Sequence, residues 1–250
     1  ATVHLFEKFD IPKISEQITI GAYNVFMAVP TIYVKLIQYF ETIDERKVRE
    51  ICDGFKNMRL NISGSAACPV KLFKQWKELT GQTLLERYGM TEIGMGISNP
   101  YNGERRAGAV GQPLPGVDCQ LFDENDNPVQ NEAEAGEIRI KGDNVFLEYW
   151  DNEEATKSSF RDGWFCTGDV AVVEDGYYRI MGRSSVDIIK SGGYKLSALE
   201  IEGVLLTHDS ISEVAVIGVE DDTWGEAVTA VAVIKEGSTL DFDSLKSWCD

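Results

Sequence analysis

The 250-residue sequence is poor in basic side chains, in cysteine and in long apolar runs. Its 24 basic residues against 41 acidic ones give a formal net charge of −17, whereas a general nucleic-acid binder needs a basic footprint. The five cysteines are widely spaced and form no CxxC pair, which favours reduced intracellular thiols over a disulfide framework or a zinc site. No apolar run reaches the ~18–20 residues that span a bilayer, so no transmembrane segment is predicted.

The composition is otherwise globular, with 43% hydrophobic and 26% charged residues. Over residues 24–87, strand-like apolar runs alternate with helical spacings, which predicts α/β layers. A β-rich subdomain is predicted after Gly108, because short strands there alternate with turn residues. We therefore expect an α/β chain with a large domain over 1–182 and a small, incomplete α+β domain over 183–250.

Two segments of the first half carry candidate chemistry. In residues 63–67, small side chains after a strand let a backbone approach a ligand, although a packing turn would look the same. In residues 86–92, an aromatic ring could stack on a base, a hydroxyl could contact phosphate, and the carboxylate of Glu92 could hold Mg²⁺. The alternative for this second segment is a surface turn with an exposed glutamate.

Two further segments lie in the second half. Asp169 closes the segment 163–169 and could accept both hydroxyls of a ribose, or simply end a hairpin. Residues 182–195 carry two cations and a Gly-Gly turn, which could present ammonium and N–H groups to phosphates. The same segment could be a linker, with Ser184 and Ser185 as a hinge.

In this order, five segments resemble the successive signatures of the adenylate-forming acyl-CoA synthetases, also called AMP-binding enzymes: SGSA, YGMTE, GEIRIKG, GWFCTGD and GRSSVDIIKSGGYKLSALEIE. The resemblance runs from about residue 24 to the end. Within the family, ERYGMTE and DDTWGEAVTAV are similar to the malonyl-CoA synthetases, which include mitochondrial animal forms. The resemblance implies a ligase that uses ATP, Mg²⁺ and coenzyme A, with a mitochondrial location.

The resemblance also implies roles for individual residues. The nucleotide-binding set is Gly64, Ser65, Ala66, Tyr88, Gly89, Thr91, Asp169 and Arg183. The catalytic set is Thr91, Glu92 and Lys190, with Glu92 as the metal ligand. The surface that faces coenzyme A is formed by Lys190, Gly192 and Gly193.

The acid substrate is expected to be malonate, whose second carboxylate needs a cation in the acyl pocket because an unpaired buried charge is prohibitive. Arg105 and Arg106, in a loop before GAVG, are the expected partners, with a hydrogen bond from Ser98. Arg87 is the weaker candidate, and both loop arginines could instead be solvated. The alternatives are a medium-chain or aryl-acid CoA ligase, or a non-catalytic nucleotide-binding relative.

Two family parts have no counterpart in this sequence. One is a phosphate loop rich in Gly, Ser and Thr, which the family carries upstream of the region that matches residue 1. The other is a lysine near the family's C-terminus, beyond the region that matches Asp250. We therefore expect an internal fragment that is inactive when isolated, with small-molecule partners only: ATP, a dicarboxylic or fatty acid, and coenzyme A.

Overall fold

The structure is a computed structural model that describes His4 and residues 6–249. Spatial contacts divide the chain into two compact units. The first comprises Ala1–Asp118, Lys141–Leu147 and Asp175–Arg179, and the second comprises Cys119–Ile140, Glu148–Glu174 and Ile180–Asp250. The domain division after residue 182 stays a prediction.

The first unit is built on a five-stranded sheet whose strands are hydrogen-bonded in chain order. The strands are β1 Val25–Ala28, β2 Leu60–Ser63, β3 Leu85–Met90, β4 Gly94–Ser98 and β5 Gln112–Pro113. β1, β2 and β3 run parallel, whereas β4 and β5 return antiparallel. Parallel strands joined by helices confirm the α/β layers predicted from the alternating pattern.

Four helices complete the first unit: α1 Ile11–Thr19, α2 Pro30–Phe40, α3 Glu45–Lys56 and α4 Val70–Thr80. Their core is aromatic, because the Trp76 ring meets Tyr33 and Phe55 edge-on with centroids 4.8 and 4.6 Å apart. Helical spacing over residues 31–40 predicts that Thr31 caps α2, and this prediction is wrong. Val29 occupies the cap position and Pro30 opens the helix, where its missing N–H costs nothing.

The second unit contains a sheet of order β10-β9-β7-β6, with the short β8 paired to β9. The bounds are β6 Asp118–Phe122, β7 Gly136–Lys141, α5 Glu153–Ser158, β8 Phe160–Arg161, β9 Trp164–Glu174 and β10 Tyr177–Arg183. β9 is longer than the sequence predicts, since it begins before Asp169 and carries the GWFCTGD segment inside the sheet.

A second sheet in this unit has the order β12-β11-β14-β13. Its elements are β11 Ile188–Ser191, β12 Tyr194–Ser197, α6 Ala198–Leu205, β13 Ile211–Asp221, β14 Gly225–Ile234 and α7 Phe242–Cys249. Ile189, Leu205 and Val216 are buried in its core. The alternative that 182–195 is a linker is wrong for residues 188–195, which form an ordered hairpin. Over residues 6–249, no helix is both long and apolar enough to cross a membrane.

Candidate active site

The YGMTE segment lies on the β3–β4 hairpin. Tyr88 faces Ile97 across the ladder, and the register then shifts before Gly89. A Cβ atom at Gly89 would lie 2.1 Å from the carbonyl oxygen of Gly94, so the close approach of the two strands requires glycine there. This packing accounts for Gly89 structurally, and its contact with nucleotide stays a prediction.

The turn that carries Glu92 is clamped by a distant segment of the first unit. The backbone N–H of Phe146 donates to the carbonyl of Glu92 at 2.7 Å. The side-chain amide of Asn144 donates to the carbonyl of Ile93 at 2.8 Å. Thr91 is exposed and Glu92 is half-buried, so both side chains project from a fixed backbone. The sequence did not predict this clamp, because nothing local links residues 144–146 to the hairpin.

Glu92 fits the chemistry of a Mg²⁺ site that also uses substrate phosphates. The described part of the chain contains no group of three or more His, Cys, Asp or Glu side chains that could hold a metal alone. Mg²⁺ is commonly bound by one or two carboxylates together with phosphate oxygens and water. A single half-buried carboxylate on a clamped turn therefore matches that donor set.

The small-residue loop after β2 also carries three of the predicted nucleotide-binding residues. Gly64 is buried at the end of the strand, whereas Ser65 and Ala66 are exposed. Ser65 has a φ of +68°, in the left-handed region that non-glycine residues adopt rarely. Such outliers cluster at ligand sites, where the surrounding structure holds them.

The guanidinium of Arg87 lies across Gly64. A Cβ atom at residue 64 would meet Arg87 Cζ at 2.7 Å, so the guanidinium would have to shift if residue 64 carried a side chain. Arg87 Nη2 approaches the sulfur of Met27 at 3.7 Å, and its buried Nε has no hydrogen-bond partner. Among the described residues, no carboxylate lies within ion-pair distance of Arg87. A partly buried guanidinium with an unused donor is poised for an anion.

The two loop arginines have different surroundings. Arg105 donates to three backbone carbonyls, those of Thr83, Pro100 and Tyr101, at 2.6, 3.2 and 2.9 Å. Its guanidinium therefore closes the loop onto the sheet.

Arg106 pairs with Glu104 and Asp175 at 3.3 and 3.1 Å and stacks over Tyr177. Ser98 donates to the carbonyl of Asn99 at 2.8 Å. The predicted substrate contacts of Ser98, Arg105 and Arg106 stay predictions, and the contacts of both arginines favour a structural role.

Glu86 precedes Arg87 and is almost fully buried, with 3% of its surface exposed. Its Oε1 accepts a hydrogen bond from the backbone N–H of Cys68 at 2.9 Å, while Oε2 has no hydrogen-bond partner. Burial raises the pKa of Glu86 to about 7, and the bond from Cys68 offsets part of that rise. The carboxyl therefore ties the loop that follows β2 to β3.

In the second unit, the structure brings together the two residues predicted to bind ribose. Arg183 Nε lies 3.1 Å from Asp169 Oδ1, and Arg183 Nη1 donates to the carbonyl of Thr167 at 2.9 Å. Gly168 has a φ of +74°, and a Cβ atom there would lie 3.0 Å from Arg183 Nη1. The Thr167–Asp169 turn is thus shaped around the arginine.

The predicted coenzyme A surface forms the β11–β12 hairpin. Gly192 and Gly193 make its turn with φ values of +57° and +83°. Lys190 Nζ lies 2.8 Å from Glu124 Oε1, and Lys195, which faces Lys190 across the ladder, lies 3.4 Å from the same oxygen. The hydrogen bond from Lys190, with the charge of both lysines, lowers the pKa of Glu124. Glu124 thus holds both lysines in this structure.

Comparison with known proteins identifies the family of this chain. The family model described as AMP-binding enzyme matches residues 1–150, and the AMP-binding enzyme C-terminal domain matches residues 200–250. The chain is 50% identical over 250 residues to the mitochondrial malonate–CoA ligase of Bos taurus. The aligned region covers 90% of this chain and 42% of that protein. The chain thus spans about two-fifths of the length of the curated relatives it matches.

Solved structures give the same result. ATP-bound MatB from Rhodopseudomonas palustris is 40% identical with a TM-score of 0.84, over 96% of this chain and 46% of that one. A malonyl-CoA ligase in a ternary product complex with methylmalonyl-CoA and AMP is 38% identical with a TM-score of 0.63, over 96% and 51% of the two chains. Because the family model matches more than half of its residues, this chain belongs to the AMP-binding enzyme family.

Proposed function

We propose that the protein is an AMP-forming acid–CoA ligase that activates malonate. In the first step, one malonate carboxylate attacks the α-phosphate of ATP, which gives malonyl-AMP and releases pyrophosphate. In the second step, the thiolate of coenzyme A attacks the acyl carbonyl, forms the thioester and expels AMP. The names of the Bos taurus relative and of the product-complex structure support this activity.

The residues of each unit have distinct tasks in the proposed reaction. In the first unit, the loop at Gly64–Ala66 and the Tyr88 ring would enclose the adenine, and Thr91 would contact phosphate. In the second unit, Asp169 and Arg183 would bind the ribose, and Lys190 would face coenzyme A in the second step. Catalysis of this kind depends on positioning and charge stabilisation, which fixed turns and strands provide.

Glu92 would hold Mg²⁺ together with phosphate oxygens. When bound, the metal would neutralise the negative charge that develops on the phosphates as pyrophosphate departs. The clamp on the Glu92 turn from Phe146 and Asn144 fixes the backbone from which the carboxylate projects. These two hydrogen bonds fix the position of the turn whether or not the metal is bound.

The choice of malonate as the substrate depends on the surroundings of Arg87. Its guanidinium has no ion-pair partner among the described residues, and its Nη2 lies at an exposed position beside the sulfur of Met27. A monocarboxylic acid would leave this charge uncompensated, whereas the second carboxylate of malonate would accept a planar, bidentate pair from it. We therefore assign this contact to Arg87 in place of Arg105 or Arg106. A mitochondrial location is proposed on the printed name of the Bos taurus relative.

The direct test is an assay of the full-length protein with ATP, Mg²⁺, coenzyme A and one acid at a time. We expect AMP and the thioester to form with malonate, and much more slowly with propionate, a medium-chain fatty acid or benzoate. Preference for one of the other acids would replace malonate with that class. Nucleotide binding without release of pyrophosphate for any acid would instead identify a non-catalytic member of the fold.

A further inference from the structure

The GEIRIKG segment forms β7, and it lies opposite an irregularity in β9. Glu137 pairs with Val170 and Arg139 pairs with Cys166, so the single residue Ile138 faces the three residues Thr167–Asp169. Such a bulge breaks the ladder and re-aims a side chain, and bulges are common beside active sites. Here the bulge contains Asp169, the proposed ribose-binding carboxylate.

Within the bulge, backbone N–H groups cannot pair with carbonyls of the opposite strand. A side chain of β7 accepts a hydrogen bond from one of them. Gly168 N–H donates to Glu137 Oε1 at 3.1 Å. Thr167 Oγ1 accepts from the N–H of Asp169 at 3.1 Å and donates to the carbonyl of Ile138 at 2.8 Å. The peptide between Thr167 and Gly168 is therefore fixed by a side chain from the neighbouring strand, and the next peptide, before Asp169, is held by Thr167.

Glu137 is itself held in place. Its second oxygen, Oε2, accepts from Arg139 Nε at 3.0 Å. Arg139 is 7% exposed, pairs also with Asp126, and lies over the ring of Phe122 with its Cζ 4.6 Å from the centroid. A carboxylate with one oxygen on a buried guanidinium and the other on a backbone N–H has little freedom to move.

The remaining bonds to the turn come from the segment predicted to act as a hinge. Arg183 donates to the carbonyl of Thr167, and the N–H of Ser184 donates to the carbonyl of Gly168 at 3.0 Å. Rotation at Ser184 and Ser185 would disturb the bond from Ser184, whereas Arg183 lies at the end of β10 in the same sheet as the turn. The bond from Glu137 comes from β7, within the same sheet as the turn, and is independent of that rotation.

We propose that Glu137 is a positioning residue that holds the Thr167–Asp169 bulge so that Asp169 presents its carboxylate to the ribose hydroxyls. This inference rests on the proposed role of Asp169 as the ribose ligand. It assigns to the GEIRIKG segment a function in nucleotide selectivity, exerted through Gly168.

The test measures selectivity for the ribose hydroxyls in the full-length enzyme. The readout is the ratio of kcat/KM for ATP to kcat/KM for 2′,3′-dideoxy-ATP in the acid-activation step. This ratio does not depend on the fraction of enzyme that is folded, so a purely structural defect leaves it unchanged. Because hydrogen bonds to a charged group contribute about tenfold to a hundredfold each, Asp169→Asn should reduce the ratio by about that factor.

Two substitutions at residue 137 distinguish the effect of losing the hydrogen-bond acceptor from the effect of changing the side-chain volume. Glu137→Met keeps the apolar stem and removes both oxygens, and we expect it to reduce the ratio about tenfold. Glu137→Gln retains an oxygen for the Gly168 N–H and should stay within about threefold of the natural enzyme. The matched control is Ser197→Ala, which loses a buried hydrogen bond to the Met181 carbonyl elsewhere in the same unit and should leave the ratio unchanged.

The outcomes distinguish the inference from the function it rests on. An unchanged ratio in Asp169→Asn would remove the proposed ribose role, and the positioning role with it. A reduced ratio in Asp169→Asn with an unchanged ratio in Glu137→Met would overturn the positioning role alone. Equal losses in Glu137→Met and Ser197→Ala would also overturn it, since the effect on the ratio would then not be specific to the bond between Glu137 and Gly168.

Discussion

The guanidinium of Arg87 occupies the space that a side chain at Gly64 would fill, with a hypothetical Cβ only 2.7 Å from Arg87 Cζ. Gly64 directly follows β2, and Arg87 lies within the neighbouring parallel strand β3, each one residue beyond the paired Ser63 and Glu86, so the sheet itself brings them together. The glycine of the small-residue loop thereby serves two tasks. In the proposed reaction it would give the nucleotide access to the backbone, and it leaves room for the cation that we assign to the acid substrate.

This relationship predicts energetic coupling between residues 64 and 87. Gly64→Ala should destabilise the full-length protein by about 1 kcal/mol or less, because the added methyl group displaces the end of a flexible side chain. In an Arg87→Ala background, the same change should cost much less, since the obstructing group is gone. Chemical denaturation of the two single variants and the double variant measures the coupling. Additive effects would show that the two residues are not in contact.

The buried carboxyl of Glu86 predicts a pH dependence of stability. Its pKa is about 7 in the folded chain against an ordinary value of 4.5, because burial disfavours the charged form. Stability from this group is fully present below pH 4.5 and is lost as the pH rises through 7.

Glu86→Gln resembles the protonated form and should remove this loss. We expect the variant to be more stable than the natural protein by about 2–3 kcal/mol at pH 8, relative to their difference at pH 4. Free energies of unfolding at the two pH values give the comparison. A difference that is independent of pH would mean that the pKa of Glu86 is the same in the folded and unfolded states.

The proposed metal role of Glu92 predicts a change in Mg²⁺ dependence. Glu92→Gln keeps the size of the side chain and removes a charged ligand, so adenylation should fall by about a hundredfold and recover partly in excess Mg²⁺. Pyrophosphate exchange at several Mg²⁺ concentrations measures both effects. Glu78→Gln, an exposed change on α4, serves as the control and should behave as the natural enzyme. Unchanged exchange in Glu92→Gln would leave the carboxylate with a structural role only.

We expect a substitution at Gly192, in the β11–β12 turn, to affect the rates of the two half-reactions differently. Gly192 has a φ of +57°, and a Cβ atom there would lie 3.1 Å from the ring of Trp224. Gly192→Leu should impair thioester formation from supplied malonyl-AMP much more than it impairs formation of malonyl-AMP. Gly203→Ala, at an open position on α6, is the matched control. Equal losses in both steps would point to misfolding of the hairpin instead.

Much of the fold was predictable because the local signals are strong. Apolar alternation located β7, β13 and β14, and helical spacing located α2 and α4 to within a few residues. Strand β4 escaped prediction because Gly94 and Gly96 carry no apolar signal. The β11–β12 hairpin was not predicted, because its glycine and lysine residues are also typical of a linker. Its pairing with β14 depends on residues distant in sequence.

The candidate site was predictable in composition more than in contacts. Asp169 and Arg183 were expected to act together, and they form an ion pair. From the sequence, Arg105 and Arg106 are favoured over Arg87 as partners of the substrate, whereas the contacts in the structure favour Arg87. The distinction depends on which guanidinium is already satisfied by backbone carbonyls, and Thr83, Pro100 and Tyr101 supply these to Arg105 through the fold of the chain.

The central claim is that Arg87 binds the second carboxylate of malonate, and the ratio of kcat/KM for malonate to that for propionate tests it most directly. In the full-length enzyme, Arg87→Met should lower this ratio by the equivalent of about 2–5 kcal/mol while ATP affinity is retained. Arg105→Met and Arg106→Met should leave the ratio near that of the natural enzyme. A ratio that survives in Arg87→Met but collapses in either loop variant would contradict the account and return the substrate contact to that loop.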